Sequence, residues 1–328
     1  MKLNSFILIL LLFVIFTHAQ VTVKKVEAFG YKNCIALENK LVKVILDPNV
    51  GGRILTYELN GKNILFENPS LNGKTWKEGN PTFEVSAGRF DIGPEKTTPF
   101  RASFFNTWKG EIIGKNSARL ISPKDSILGV ELIREFYLDE NSSHLKCVQH
   151  IKNISDTIQN YAHWSRTFAK GGGICLVPLN PNSRLPKGYA NYQFGTSLID
   201  FNPPEEPALC VRDGILEILE TPKHPKFVMD SNQGWIAYNT KDDLLFIKTF
   251  KANENTIYGD MMNNQVSIWY YKNEKCEIEP IGPIKTILPG EIVSFTENWY
   301  LFENEYPKNK KLDLKKIQIL VNTLKPLH

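Results

Sequence analysis

The segment Glu277-Ile278-Glu279-Pro280 carries two carboxylates at alternate positions, which puts both on one face of an extended chain. Glu279 abuts Pro280, and a carboxylate held at a strand end by a proline is well placed to aim into a cleft as an acid or base. The Leu288-Pro289-Gly290 turn that follows has proline and glycine in the order of a type II turn, and Ile292 to Phe302 then reads as an aromatic-rich return strand. Further upstream, alternation in Asn160 to Phe168 sets Tyr161, His163, Ser165 and Thr167 on one face and Ala162, Trp164, Arg166 and Phe168 on the other. Histidine exchanges protons best near neutrality, so His163, pointing with Ser165 into a cleft, is a candidate proton-transfer residue. The segment Ser86 to Glu95 packs Arg89, Asp91 and Glu95 between glycines and a proline, and reads as a constrained loop presenting polar groups.

Trp76, Trp108, Trp164, Trp235, Trp269 and Trp299 supply flat apolar faces of the kind that stack on the C–H faces of sugars, although most tryptophans of a β protein belong to its core. The chain has no GxSxG, HExxH, Walker or dinucleotide-binding motif. His144 and His150 share a face, yet no carboxylate accompanies them at ligand spacing. The expectation is therefore chemistry by proton transfer, with neither metal nor cofactor.

The elements that must position these groups are β-strands nearly throughout. Leu41–Leu46, Arg53–Leu59, Ala118–Ile121, Val130–Leu138, His144–Asn153, Gly234–Ala237, Leu244–Phe250, Val266–Tyr271 and Cys276–Glu279 all read as strands. Asn60-Gly61 is a two-residue hairpin signal with Ile64–Phe66 as its return strand. No window sustains a helical apolar period, and the best helix candidate is the tail, Leu312 to Leu324. Many strands joined by short turns predict an all-β antiparallel sandwich or barrel. Two stretches, Asn68 to Thr107 and Lys170 to Pro222, break the rhythm and read as long functional loops.

Residues 1–19 read as a secretory signal peptide: Lys2, the apolar run Phe6 to Phe16, then Thr17-His18-Ala19 before Gln20. Residues 20–328 then form one β domain with a short C-terminal tail or helix, secreted or periplasmic, with no membrane span after cleavage. Loss of Lys2 lowers the formal net charge from +4 to +3, and the basic residues are scattered outside the tail, so nucleic acid is not an expected partner. Cys34, Cys147, Cys175, Cys210 and Cys276 form no CxxC pair, and most read as small buried apolar residues.

At four stretches the chain resembles the galactose-mutarotase-like superfamily of aldose 1-epimerases, and in particular an uncharacterised bacterial domain family within it. These are Gly51 to Tyr57 with the Asn60-Gly61 turn, Gly88 to Glu95, His163 to Phe168, and Glu279-Pro280 through Leu288-Pro289-Gly290 to Trp299-Tyr300. The resemblance implies a large antiparallel β-supersandwich with a sugar-binding cleft on one concave sheet. It implies an isomerase in which Glu279 takes the proton from the anomeric hydroxyl and His163 protonates the ring oxygen. Arg89, Arg166, Glu95, Trp164 and Trp108 are the expected sugar-binding residues. The second, earlier histidine of the epimerases has no counterpart, since Phe100 to Gly114 contains none and Trp108 and Lys109 stand there. Two alternatives remain at this stage: a noncatalytic glycan-binding module using the same cleft, and a polysaccharide lyase with Tyr161 or His163 as base and Arg166 or Arg89 neutralising a uronate.

Overall fold

Val130–Leu138 and Leu145–Asn153 alternate strictly between buried and half-buried residues, so each turns one face to a core and one toward solvent. Repeated across the chain, this pattern builds two antiparallel sheets. The computed structural model describes residues 20–77, 87–94, 98, 102–196, 198–253, 255–260 and 262–324. Among these residues, 13 strands form the larger sheet and 10 the smaller. The central strands of the larger sheet run, side by side, Arg53–Leu59, Gly88–Gly93, Gln159–Lys170, Lys275–Pro280, Val266–Tyr271, Lys226–Met229 and Ala190–Tyr192. The smaller sheet includes Trp235–Asn239, Leu244–Phe250, Ile292–Glu303, Leu145–Asn153 and Val130–Leu138 as successive neighbours. An all-β antiparallel sandwich is thus what the chain forms, with Ile54, Phe90, Ile268 and Ile278 of one sheet packed with Leu132, Phe136, Phe246 and Trp299 of the other.

Arg53–Leu59, Val130–Leu138, Leu244–Phe250 and Val266–Tyr271 have the bounds expected from the sequence. The Leu288–Gly290 turn also forms as read: Glu291 N–H donates to the Leu288 carbonyl at 2.9 Å, and Gly290 has the φ of +80° that a type II turn requires. Three readings change. Gly88–Gly93 is a central strand rather than a loop. Lys170 to Pro222 contains the strands Ile174–Pro178, Ala190–Tyr192, Ile199–Asp200, Leu209–Arg212 and Ile215–Ile218. These are short runs, broken by prolines and glycines, in which an alternating pattern has little length to show itself. The Asn60-Gly61 hairpin returns through Lys62–Asn63, and Leu65 makes only an isolated bridge to Ala169. The signal segment, residues 1–19, lies outside the described residues.

The tail helix is Leu314–Thr323, capped by Asp313, whose side chain accepts from the Lys316 N–H at 3.0 Å. Leu314 and Ile317 pack on Ile174, Trp235, Ile247 and Tyr300, so the helix covers the outer face of the smaller sheet. No helix among the described residues is long and apolar enough to cross a membrane. All five cysteines are free thiols, and only Cys210 is not buried.

Two buried cations lie between the sheets. Lys248 Nζ pairs with Glu297 Oε2 at 3.0 Å, donates to Thr167 Oγ1 at 2.7 Å and to the Ile278 carbonyl at 3.3 Å, and sits 4.7 Å from the Trp299 ring centroid. Arg134 Nη1 donates to the carbonyls of Gly52 at 2.8 Å and Gly88 at 3.0 Å. Burial pushes the Arg134 guanidinium down to about 10 and lowers the Lys248 amine as well. From the interior side Arg134 thus holds a carbonyl of the Arg89 strand, and Lys248 holds a carbonyl of the Glu277 and Glu279 strand and a hydroxyl of the Arg166 strand. A side chain at Gly88 would collide with Trp299, since its Cβ would lie 2.8 Å from the indole Cη2.

Candidate functional site

Strand alternation sorts the nominated residues between two faces of the larger sheet. On Gln159–Lys170, His163, Ser165 and Thr167 point inward, whereas Trp164 and Arg166 point to the face away from the smaller sheet. Register then lines up the outward residues of neighbouring strands. Arg89 pairs with Arg166, Asp91 with Trp164, Phe168 with Glu277, Glu277 with Trp269, Glu279 with Ser267, Trp269 with Lys226, and Lys226 with Tyr192.

The centre of this face is an ionic cluster. Arg166 Nε lies 3.0 Å from Asp91 Oδ2 and 3.4 Å from Glu279 Oε1, and its Nη1 lies 3.6 Å from Glu277 Oε1. Arg89 also pairs with Asp91, and its guanidinium lies 5.2 Å from the Phe105 ring centroid. Trp164 Nε1 donates to Glu279 Oε1 at 3.0 Å, with the Arg166 guanidinium 5.4 Å from its ring centroid. The two glutamate side chains are each 1% exposed, while those of Arg89 and Arg166 are 12% and 14% exposed. Burial and the neighbouring Glu279 raise the Glu277 carboxyl to about 8, against the opposing pull of Arg166, Lys226 and Arg89. Glu277 Oε1 accepts no hydrogen bond among the described residues.

Beside the cluster runs an aromatic belt. Trp269 and Tyr271 stack with centroids 4.6 Å apart, and Phe168 is 6.2 Å from Tyr271. Lys226 Nζ sits 4.8 Å from the Trp269 centroid and 5.2 Å from that of Tyr192, and Lys275 Nζ is 4.8 Å from the Tyr271 centroid. Trp269 and Tyr271 are half-buried, so part of each ring stays accessible. Charged groups that can grip hydroxyls next to partly exposed aromatic faces are what sugar recognition calls for. Among the described residues no group of three or more His, Cys, Asp or Glu side chains is placed to hold a metal ion.

Of the nominated residues, Glu279, Arg166, Arg89 and Trp164 meet in this cluster, and Glu95 lies outside the described residues. Trp164 is buried against Tyr258 and Ile281, so its contribution is a hydrogen bond to Glu279 rather than a stacking surface. Two residues do not join them. Trp108 is a core residue: it is buried, and its indole N–H donates to the Ser103 carbonyl at 2.8 Å. His163 is also interior, with its ring between Phe90 and Phe295 at centroid distances of 5.7 and 5.9 Å. Its Nε2 has no hydrogen-bond partner among the described residues, and burial drives the imidazole down to about 3. The sequence reading had Trp269 only among the six tryptophans that could stack on a sugar and did not select Asp91, Glu277, Lys226 or Tyr271 for the site, although alternation already set Glu277 beside Glu279 and Asp91 beside Arg89.

The His163 environment makes a prediction. The folded protein keeps this ring neutral, whereas the unfolded chain protonates it near its ordinary value of 6.5. Unfolding therefore takes up a proton as pH falls, and stability is lost between about pH 6.5 and pH 3. His163→Phe, which fits between two phenylalanines, should lose less stability over that range. Urea midpoints at pH 7 and pH 4 check this, and equal losses in both proteins would refute it.

No protein-family model matches the chain, and no curated protein matches it. Solved structures do. A galactose mutarotase-like protein from Clostridium acetobutylicum aligns with a TM-score of 0.57 at 13% identity, covering 87% of this chain and 99% of the other. One from Lactobacillus casei gives 0.56 at 10% identity, over 82% of this chain and all of its own, 100%. A galactose mutarotase related enzyme from Lactobacillus acidophilus gives 0.55 at 12% identity, over 83% and 98% of the two chains. The chain therefore has the galactose-mutarotase-like fold, as the sequence resemblance implied.

Proposed function

We propose that the protein is an exported carbohydrate-binding protein that interconverts sugar anomers by acid/base chemistry on the outer face of its larger sheet. The single observation that carries this reading is the convergence of Glu279, Glu277, Asp91, Arg89 and Arg166 within ion-pair distance, beside a half-exposed aromatic belt. The similar structures, galactose mutarotase-like proteins and a galactose mutarotase related enzyme, support the same ligand class. Glu279 is the base toward the anomeric hydroxyl, held by the Trp164 indole and Arg166. Arg89 and the accessible faces of Trp269 and Tyr271 bind the rest of the ring. The apolar run of residues 6–16 is the basis for proposing export.

The interior position of His163 favours one second reading, a glycan-binding module without catalysis, because the acid nominated from the sequence is not at the site. The lyase reading loses both of its bases: His163 is buried, and the Tyr161 hydroxyl donates to the Leu128 carbonyl at 2.9 Å on the same inward face. Polarimetry separates enzyme from module. The protein should speed the relaxation of freshly dissolved aldohexoses and uronic acids toward their anomeric equilibrium. Saturable binding with no acceleration of any bound sugar would leave the module and remove the enzyme.

A further inference from the structure

We propose that Glu277 donates the proton to the ring oxygen, the role that the sequence resemblance assigned to His163. This rests on the acid/base reading above. Glu277 stands two residues from Glu279 on the same strand face, so their backbones are about 7 Å apart while their carboxyls converge on one guanidinium. One carboxyl oxygen, Oε2, takes a hydrogen bond from the Tyr271 hydroxyl at 3.4 Å. Tyr271 is a dependable donor, since burial and then Glu277 and Glu279 hold its phenol protonated far above the ordinary tyrosine range. The other oxygen, Oε1, is buried, takes no hydrogen bond among the described residues and lies 3.6 Å from Arg166 Nη1, the guanidinium that also meets Glu279. The side chain sits between Phe168 and Trp269 in register, which confines the space in front of it.

The step balances with the two carboxyls alone. Glu279 removes the proton of the anomeric hydroxyl as that oxygen forms the carbonyl bond, the bond from C1 to the ring oxygen breaks, and its electron pair takes the proton from Glu277. The product is the open-chain aldehyde, with Glu279 neutral and Glu277 anionic. Rotation about C1–C2 and closure on the other carbonyl face return both protons. The anion left on Glu277 is met by Arg166 and Lys226.

The charged and titratable groups facing Glu277 come from every adjoining strand: Arg89 and Asp91, Arg166, Tyr271, Lys226, and Glu279 and Lys275 on its own strand. Burial first, and then Glu279 against the pull of Arg166, Lys226 and Arg89, leave its carboxyl protonated until about pH 8. The rate of anomer exchange should therefore fall as pH rises through that value.

The test is anomer exchange followed by polarimetry across pH 6–10 on the full chain, with wild type, Glu277→Gln, Glu277→Asp and Glu279→Gln, and sugar affinity measured for each. Glu277→Gln should slow exchange by about a hundred- to ten-thousand-fold while sugar affinity stays within about threefold of wild type. Glu277→Asp should regain part of the rate together with the alkaline decline. An active Glu277→Gln with an unchanged pH profile, set against an inactive Glu279→Gln, would overturn the role of Glu277 alone. Wild-type protein that speeds no sugar would overturn the enzyme reading and this proposal with it.

Discussion

Lys248→Met is expected to cost about 3–5 kcal/mol of folding stability, because it leaves a buried glutamate without its countercharge. Glu297 is fully buried, and apart from Lys248 its hydrogen-bond donors are neutral, among them Gln149 Nε2 at 2.5 Å and Trp299 Nε1 at 3.0 Å, with Arg134 acting on it only through space. Neither compensates an anion in the space between two sheets, so the variant must either bury a charge or protonate Glu297. Paired replacement by Met at 248 and Leu at 297 removes both charges and should recover most of the loss, since apolar residues of similar volume often replace a buried ion pair at little cost. Chemical denaturation of the two single variants and the double variant closes the cycle. A Lys248→Met protein within about 1 kcal/mol of wild type would mean that the pair does not govern stability. Lys248 also donates to the Ile278 carbonyl, between Glu277 and Glu279, so the variant should bind sugar more weakly even where it remains folded.

Glu279→Gln is expected to slow anomer exchange by about a hundred- to ten-thousand-fold, the range for removal of one proton-transfer group. The amide keeps the size of the side chain and an oxygen to accept from the Trp164 indole, so packing against Tyr258 and Ile281 is undisturbed. What it lacks is the ability to take a proton. Sugar affinity should therefore change little while the catalysed rate collapses, which separates a chemical role from a binding one. Initial polarimetric rates against protein concentration measure it. An unchanged rate would show that the anomeric proton leaves by another route.

Much of this arrangement was legible in the residues. The strands Arg53–Leu59, Val130–Leu138, Leu244–Phe250 and Val266–Tyr271 are long enough for alternation or β-rich composition to mark both ends. Gly88–Gly93 was hidden because its glycines imitate a loop, while its neighbours on both sides and the Trp299 ring beneath Gly88 require a strand without side chains at that point. The same alternation that put Glu277 beside Glu279 also put His163 opposite Trp164 and Arg166. His163 and Arg166 therefore face opposite sides of the sheet, and it is the family resemblance, not the alternation, that sets His163 with Glu279. On the inward face the His163 ring lies between Phe90 and Phe295, while Ser165 and Thr167 turn to Lys248. Lys226 could not be placed from local pattern, since its meeting with Glu277 depends on strands more than 40 residues apart becoming neighbours, whereas Trp269 and Tyr271 face Glu277 across the hairpin of Val266–Tyr271 and Lys275–Pro280.

The central claim is that sugar sits on the Arg166 face of the larger sheet and not on the His163 side. Titrating a bound sugar into Arg166→Ala and His163→Phe side by side tests it most directly. Arg166→Ala should weaken binding by at least about tenfold, the effect of one charge-assisted contact, and His163→Phe should bind as wild type does. Loss of affinity in His163→Phe with full affinity in Arg166→Ala would contradict the account.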